Sequence, residues 1–218
     1  MNIASVIEHT NLSPTLTVND IDQLTTEAIE FNFFGICIPP FWVKRVKREL
    51  GKEKVFLVSV VGFPFGYQMT ETKLDDAKRA LDNGADEIDW VWNISSFKTG
   101  LPWTKIELAK ASKFIHGQER ILKFIIETSY LSDTEIVEVC KMCSDAGVDF
   151  VKTSTGFASG GATVEHIRLM RGCLPKTVGI KASGGIKSYA QTKRMLDAGA
   201  DRIGTSSGVS IVKEQQND

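Results

Sequence analysis

The sequence is poor in cysteine, has no sustained apolar run and carries no excess of either charge, and each lack narrows the reading. Its four cysteines, Cys37, Cys140, Cys143 and Cys173, lie in or beside apolar segments, and nothing resembling a secretion signal precedes them. Reduced thiols in the cytoplasm are the expectation. Cys140-Lys141-Met142-Cys143 is formally a CxxC, but it falls in a run with helical period and has no second cysteine or histidine pair at zinc spacing. Packing is therefore expected of it in place of metal or redox use. No apolar stretch reaches the ~20 residues that cross a bilayer, so a soluble chain with no membrane partner is expected. The 26 basic side chains are matched by 27 acidic ones, for a formal charge of −1. Nothing in that balance asks for nucleic acid. There is no Walker motif, and no Gly-x-Gly-x-x-Gly follows a strand, so no nucleotide cofactor is indicated.

What is present is a repeated alternation. Short runs of strand-formers (Ile36–Ile38, Val55–Val61, Ala85–Trp92, Ile121–Glu127, Phe150–Lys152, Val178–Lys181, Arg202–Gly204) alternate with segments of helical period. Met1–Ile7 is an apolar lead that supplies a first strand, and the tail after Val212 is expected to fray. One phrase occurs three times: Asn83-Gly84-Ala85-Asp86, Ala146-Gly147-Val148-Asp149 and Ala198-Gly199-Ala200-Asp201. Each sets a glycine at a helix C-terminus, two residues before an acid that leads into a strand. Repeated turns mean repeated architecture. With eight strands and no linker, the chain 1–218 is predicted to be one (β/α)8 TIM-barrel domain; a flavodoxin-like doubly wound sheet is the alternative.

Two strands end in lysine. Phe150-Val151-Lys152 runs into Thr153-Ser154-Thr155-Gly156, and Gly179-Ile180-Lys181 runs into Ala182-Ser183-Gly184-Gly185, 29 residues further on. In a parallel barrel both amines emerge at the mouth, where mutual repulsion would keep one neutral and nucleophilic. Asp89, flanked by Ile88 and Trp90, converges on them as an ion-pair partner and proton carrier. The plain alternative is a structural ion-pair network. His9 could orient neighbouring groups, and His116 before Gly117 reads as a helix C-cap. Ser183-Gly184-Gly185 and Gly204-Thr205-Ser206-Ser207-Gly208 sit where barrels bind phosphate.

Taken together, Val151–Phe157, Gly179–Ile186, Glu87-Ile88-Asp89, Gly35–Pro40, Gly62-Phe63-Pro64 and Gly204–Ser207 resemble, in order, the segments of the deoxyribose-phosphate aldolases. The resemblance implies a (β/α)8 barrel that cleaves 2-deoxy-D-ribose 5-phosphate to glyceraldehyde 3-phosphate and acetaldehyde, with no metal and no cofactor. By it, Lys152 forms the imine, and Lys181 holds down the pKa of Lys152 and with Asp89 moves protons through a water. Glu8 and Thr10 would meet substrate hydroxyls, Cys37 and Thr155 would line the substrate, and Gly156, Gly184, Gly185, Gly204, Ser206 and Ser207 would contact phosphate. Four departures stand out. Glu8 replaces the family's usual aspartate, Trp90 and Trp92 replace smaller residues and would narrow the pocket if turned inward, Phe157 replaces a lysine found in some members, and a terminal tyrosine is lacking. Two other readings of the barrel are a phosphosugar isomerase with Asp89 or Glu127 as base, and a non-catalytic phosphosugar-binding protein. Exposed aromatics such as Phe41-Trp42 would suit a homodimer.

Overall fold

Eight short strands leave no unpaired edge N–H or C=O groups when they close into a ring. In the computed structural model of the protein, which describes residues 2–217, they do so: β1 (Ile7–Thr10), β2 (Gly35–Ile38), β3 (Phe56–Val61), β4 (Glu87–Val91), β5 (Ile121–Ile125), β6 (Phe150–Lys152), β7 (Gly179–Ser183) and β8 (Arg202–Thr205) form a closed parallel barrel in sequence order. Register closes the ring, with Ile7 beside Ile203 and His9 beside Thr205. Around it lie α1 (Val18–Glu30), α2 (Val43–Leu50), α3 (Thr70–Asp82), the single-turn α4 (Ile94–Lys98), α5 (Trp103–His116), α6 (Asp133–Asp145), α7 (Val164–Cys173), α8 (Tyr189–Asp197) and α9 (Gly208–Gln216). This is the predicted TIM barrel, and no helix among the described residues is long and apolar enough to cross a membrane.

Several boundaries differ from the sequence expectation. Residues Ile3–Val6 form a 3-10 turn, so the first strand starts at Ile7 and includes Glu8 and His9. The first helix, α1, begins at Val18. Thr17 caps it, its hydroxyl accepting from the Asp20 N–H while Asp20 accepts from the Thr17 N–H at 2.8 Å, a reciprocal capping box. The tail does not fray at Val212. Gln215 accepts from the Ile3 N–H at 3.2 Å and Glu214 from the Tyr189 N–H at 2.6 Å, which keeps α9 helical to Gln216.

The thrice-repeated phrase proves to be one device. Gly84, Gly147 and Gly199 have φ of 106°, 75° and 114°, the left-handed region that ends a helix without Cβ strain. The acid after each reaches across to the preceding strand: Asp86 accepts from the Leu57 N–H at 2.9 Å, Asp149 from Leu122 at 2.8 Å and Asp201 from Ile180 at 2.8 Å. Each also pairs with a helix side chain, namely Lys47, His116 and Arg171. His116, expected as a simple cap, is thus the partner of Asp149 at 2.9 Å.

Alternation along β4 sends Glu87 and Asp89 to the axis and Trp90 outward. The Trp90 indole N–H donates to Glu107 Oε1 of α5 at 2.8 Å, and the Trp92 N–H to the Ile126 carbonyl at 3.0 Å. Both rings belong to the core between strands and helices, so neither narrows the barrel. Glu107 also meets Lys73, a buried helix lysine that donates to it at 2.6 Å, to the Val91 carbonyl at 2.9 Å and to Gly66 O. That lysine ties the loop after β3 to β4 and α5.

Replacing Asp149 by alanine leaves the Leu122 N–H and His116 without their acceptor. We expect a loss of about 1–3 kcal/mol in urea unfolding, against less than about 0.5 kcal/mol for Asp145→Ala, an exposed residue of the same helix end.

Candidate active site

The axis of the barrel is charged. Alternation on β1, β4, β5, β6, β7 and β8 brings Glu8, Glu87, Asp89, Lys123, Lys152, Lys181 and Arg202 inward, and all except Arg202 are buried. Arg202 closes the lower end, its guanidinium 3.0 Å above the Phe34 ring. Gly204 on β8 leaves the space a lysine needs, since a Cβ there would lie 3.0 Å from Lys181 Cε.

Asp89 is the hub. Its Oδ2 accepts from Lys152 and from Lys181, each at 2.7 Å, and its Oδ1 from Lys123 at 3.1 Å. Burial alone would raise its pKa, but the charges of Lys123, Lys152 and Lys181 outweigh burial and hold the carboxyl well below the usual carboxylate range. Lys181 also donates to Glu8 Oε2. Burial pulls Lys181 down, and the charges of Asp89 and Glu8 overcome that and keep it above the ordinary lysine range. Lys123 shows the same balance against Asp89, Glu8 and Glu87, lying 3.4 Å from Glu8 Oε1 and 2.5 Å from Glu87 Oε2 as ion pairs without directed hydrogen bonds. Two of the three axial lysines are thereby fixed as ammonium ions.

Cys37 on β2 completes this layer. Its thiol donates to Asp89 Oδ2 at 3.8 Å, and burial pushes its pKa up to about 11, so it stays protonated. Glu8, Cys37 and Asp89 bring three ligand-type atoms within 4.8 Å of one another. The Lys181 ammonium bonds both carboxylates and takes the place a cation would have.

Above the charged layer a cavity of about 270 Å³ opens at the C-terminal ends of the strands. Lys152 is the axial lysine that reaches it. Thr10, Thr155, Gly156, Gly184, Gly185, Gly204 and Ser206 line the same space, so most of the residues singled out from sequence converge there. Gly184 and Gly185 carry consecutive φ of 87° and 77°, and a Cβ on Gly185 would meet nothing within 4 Å, so the backbone itself borders the cavity. Five of the expected residues lie outside this lining, Asp89 and Lys181 in the charged layer already described and three others. Glu8 and Cys37 sit below the cavity in the charged layer, and Ser207 borders a separate cavity of about 690 Å³ between α1 and α9. His9 faces that second space too, its Nε2 2.7 Å from Glu27 of α1, so it joins strand to helix and does not reach the lysines.

Glu127 has a fixed task. Held at φ 53° just past β5, it accepts through Oε2 from the Thr155 N–H at 3.0 Å and from the Thr155 hydroxyl, which folds the loop after β6 against its neighbour. Phe157 meets Phe63 edge-on at 5.3 Å across the mouth. Lys187, exposed just after the glycine turn, also lines the cavity.

Sequence reasoning missed Lys123, Glu87, Arg202 and Lys187. The first three lie in strands whose period of two was visible, and pairing Lys123 with Asp89 across adjacent strands would have found one of them. Lys187 carried no signal beyond nearness to the glycine turn.

The chain matches the model of the DeoC/LacD family aldolases over residues 4–214. It is 47% identical over 220 residues to the deoxyribose-phosphate aldolase of Thermococcus gammatolerans, covering 100% of this chain and 98% of that one. Against the deoxyribose-phosphate aldolase of Clostridioides difficile the identity is 44% over 216 residues, with 98% and 97% covered. A tetrameric deoxyribose phosphate aldolase from Aeropyrum pernix shares the fold at a TM-score of 0.91 and 32% identity, over 98% of this chain and 91% of that chain. Full-length likeness of sequence and of barrel, with Lys152 and the glycine loops at one mouth, means that the chain belongs to the DeoC/LacD family of aldolases.

Proposed function

We propose that the chain, acting as one barrel domain, is a class I aldolase that reversibly cleaves 2-deoxy-D-ribose 5-phosphate to D-glyceraldehyde 3-phosphate and acetaldehyde. The observation that carries the assignment of the nucleophile is that Lys152, of the three axial lysines, borders the mouth cavity while its amine lies 2.7 Å from Asp89. The axis holds four cations (Lys123, Lys152, Lys181, Arg202) against three carboxylates (Glu8, Glu87, Asp89). One positive charge is in excess over the carboxylates.

The neutral Lys152 nitrogen attacks C1 of the open-chain sugar, and loss of water gives an iminium. The C3 hydroxyl then gives up its proton, the C2–C3 bond breaks, and its electron pair enters the iminium to form an enamine. Asp89 and Lys181 carry the proton through a water, and return of a proton to C2 followed by hydrolysis frees acetaldehyde. The sugar phosphate rests on the backbone of Gly184, Gly185 and Gly204 with Ser206, facing Lys187. The isomerase reading lacks a free base, since Asp89 already accepts from three lysine amines and Glu127 is committed to Thr155. The chain's place in this reading is the cytoplasm. Self-association as a dimer is part of it as well, with Phe41, 82% exposed beside Trp42, as a contact; sedimentation at twice the chain mass would support it and a monomer at high concentration would exclude it.

Acetaldehyde with borohydride should leave a reduced ethyl adduct on Lys152 by peptide mapping, and Lys152→Ala should lose both adduct and acetaldehyde release. An adduct on Lys181 or Lys123, or isomerised sugar without acetaldehyde, would overturn the assignment. Lys181→Met is expected to lower kcat by roughly 10²-fold or more. Lys187→Ala is expected to raise KM for the phosphosugar about tenfold, the ~1.4 kcal/mol of a charge-assisted contact, with kcat nearly unchanged.

A further inference from the structure

Thr155, Gly156 and Phe157, consecutive residues of the loop after β6, border the mouth cavity, and a carboxyl from the end of β5 decides which of their donors remain for a ligand. The Thr155 N–H donates to Glu127 Oε2 at 3.0 Å, and the Thr155 hydroxyl donates to the same oxygen. The Phe157 N–H donates in turn to Thr155 Oγ1 at 3.1 Å. Gly156, between them at φ 86° and with nothing within 4 Å of where a Cβ would stand, carries the one N–H of the three that this chain of bonds leaves over. Building on the aldolase reading above, we propose that Glu127 is a positioning residue for the phosphosugar, acting through Thr155. It turns the loop into a fixed pattern: an acceptor at Thr155, whose proton is spent on Glu127, and a donor at Gly156. A phosphosugar supplies the matching groups, a hydroxyl and an anionic oxygen.

The backbone shows how firmly that carboxyl is held. Glu127 is 2% exposed and lies in the left-handed region, φ 53° and ψ 70°, which disfavours any residue with a Cβ. Bonds on either side lock it there, from the Ile126 N–H to the Lys152 carbonyl at 3.0 Å and from the Thr128 N–H to the Thr153 carbonyl at 2.9 Å. Its second oxygen, Oε1, is buried with no hydrogen-bond partner among the described residues, so the side chain's hydrogen bonds go to Thr155 alone. The Lys152 amine is held separately, by Asp89 at 2.7 Å. Loss of Glu127 therefore releases the loop and leaves the nucleophile in place. Acetaldehyde, which has no phosphate, can still reach Lys152, whereas the phosphosugar loses its ordered wall.

The test compares two reactions of the full-length protein: acetaldehyde release from 2-deoxy-D-ribose 5-phosphate, and borohydride trapping of acetaldehyde on Lys152. Glu127→Ala should raise KM for the phosphosugar about tenfold and trap acetaldehyde at the unsubstituted rate. Glu127→Gln, whose amide oxygen can accept both Thr155 bonds, should restore KM. Thr155→Val should raise KM as well, and the double variant Glu127→Ala/Thr155→Val should be no worse than the poorer single one, because one residue acts through the other. An unchanged KM in Glu127→Ala, a parallel loss of trapping, or single effects that multiply in the double variant would overturn the proposal. If Glu127→Ala does not fold, an unchanged KM in Thr155→Val overturns it equally. Unsubstituted protein that releases no acetaldehyde from the phosphosugar would instead sink the aldolase reading itself.

Discussion

One oxygen atom, Oδ2 of Asp89, accepts from both Lys152 and Lys181 inside a ring sealed from water. Charges taken that far from solvent cost several kcal/mol each unless every one meets an opposite at close range. The barrel meets that demand by alternating signs, from Glu87 to Lys123, to Asp89 and Glu8, and on to Lys181. Each member holds the next in position, which is why Glu8, longer than aspartate, reaches Lys181 from the first strand. The same chain of contacts holds Lys123 and Lys181 above the ordinary lysine range.

Chemistry and binding are divided between strands and loops. Groups that must not move, the lysines and Asp89, stand on strands paired on both sides, with rotamers set by ion pairs. The cavity above them is bordered by the loops after β6, β7 and β8, of which the first two carry left-handed glycines, Gly156, Gly184 and Gly185. The loop after β6 is anchored by Glu127 through Thr155, so it borders the cavity as a braced wall. On the opposite end of the strands, the three Gly-x-Asp turns close helix to strand and carry stability alone, with no part in the cavity.

Much of this could be read in advance because it is local. A glycine at a helix end followed by an acid, a lysine closing an apolar strand, and small residues after it are signals confined to a few positions, and they located β6, β7 and their loops closely. The first strand was misplaced because Ile3–Val6 is as apolar as a strand but is bent by the Asn2 cap, whose side chain accepts from the Ala4 N–H. The short α4 was missed since five residues hold no period, and its only mark is the Asn93 side chain accepting from the Ser96 N–H.

By itself the sequence determined the element order, the barrel, the two lysines and the phosphate-type loops, since period, capping and turn chemistry act over a few residues. The tertiary structure decided which face of each strand looks inward, and so turned Trp90 and Trp92 away and drew Lys123, Glu87 and Arg202 in. It also decided that Glu8 faces Lys181, 173 residues away. Period two marks alternate residues as alike without saying which set faces the axis, and partners so distant in the chain are chosen only when the ring closes.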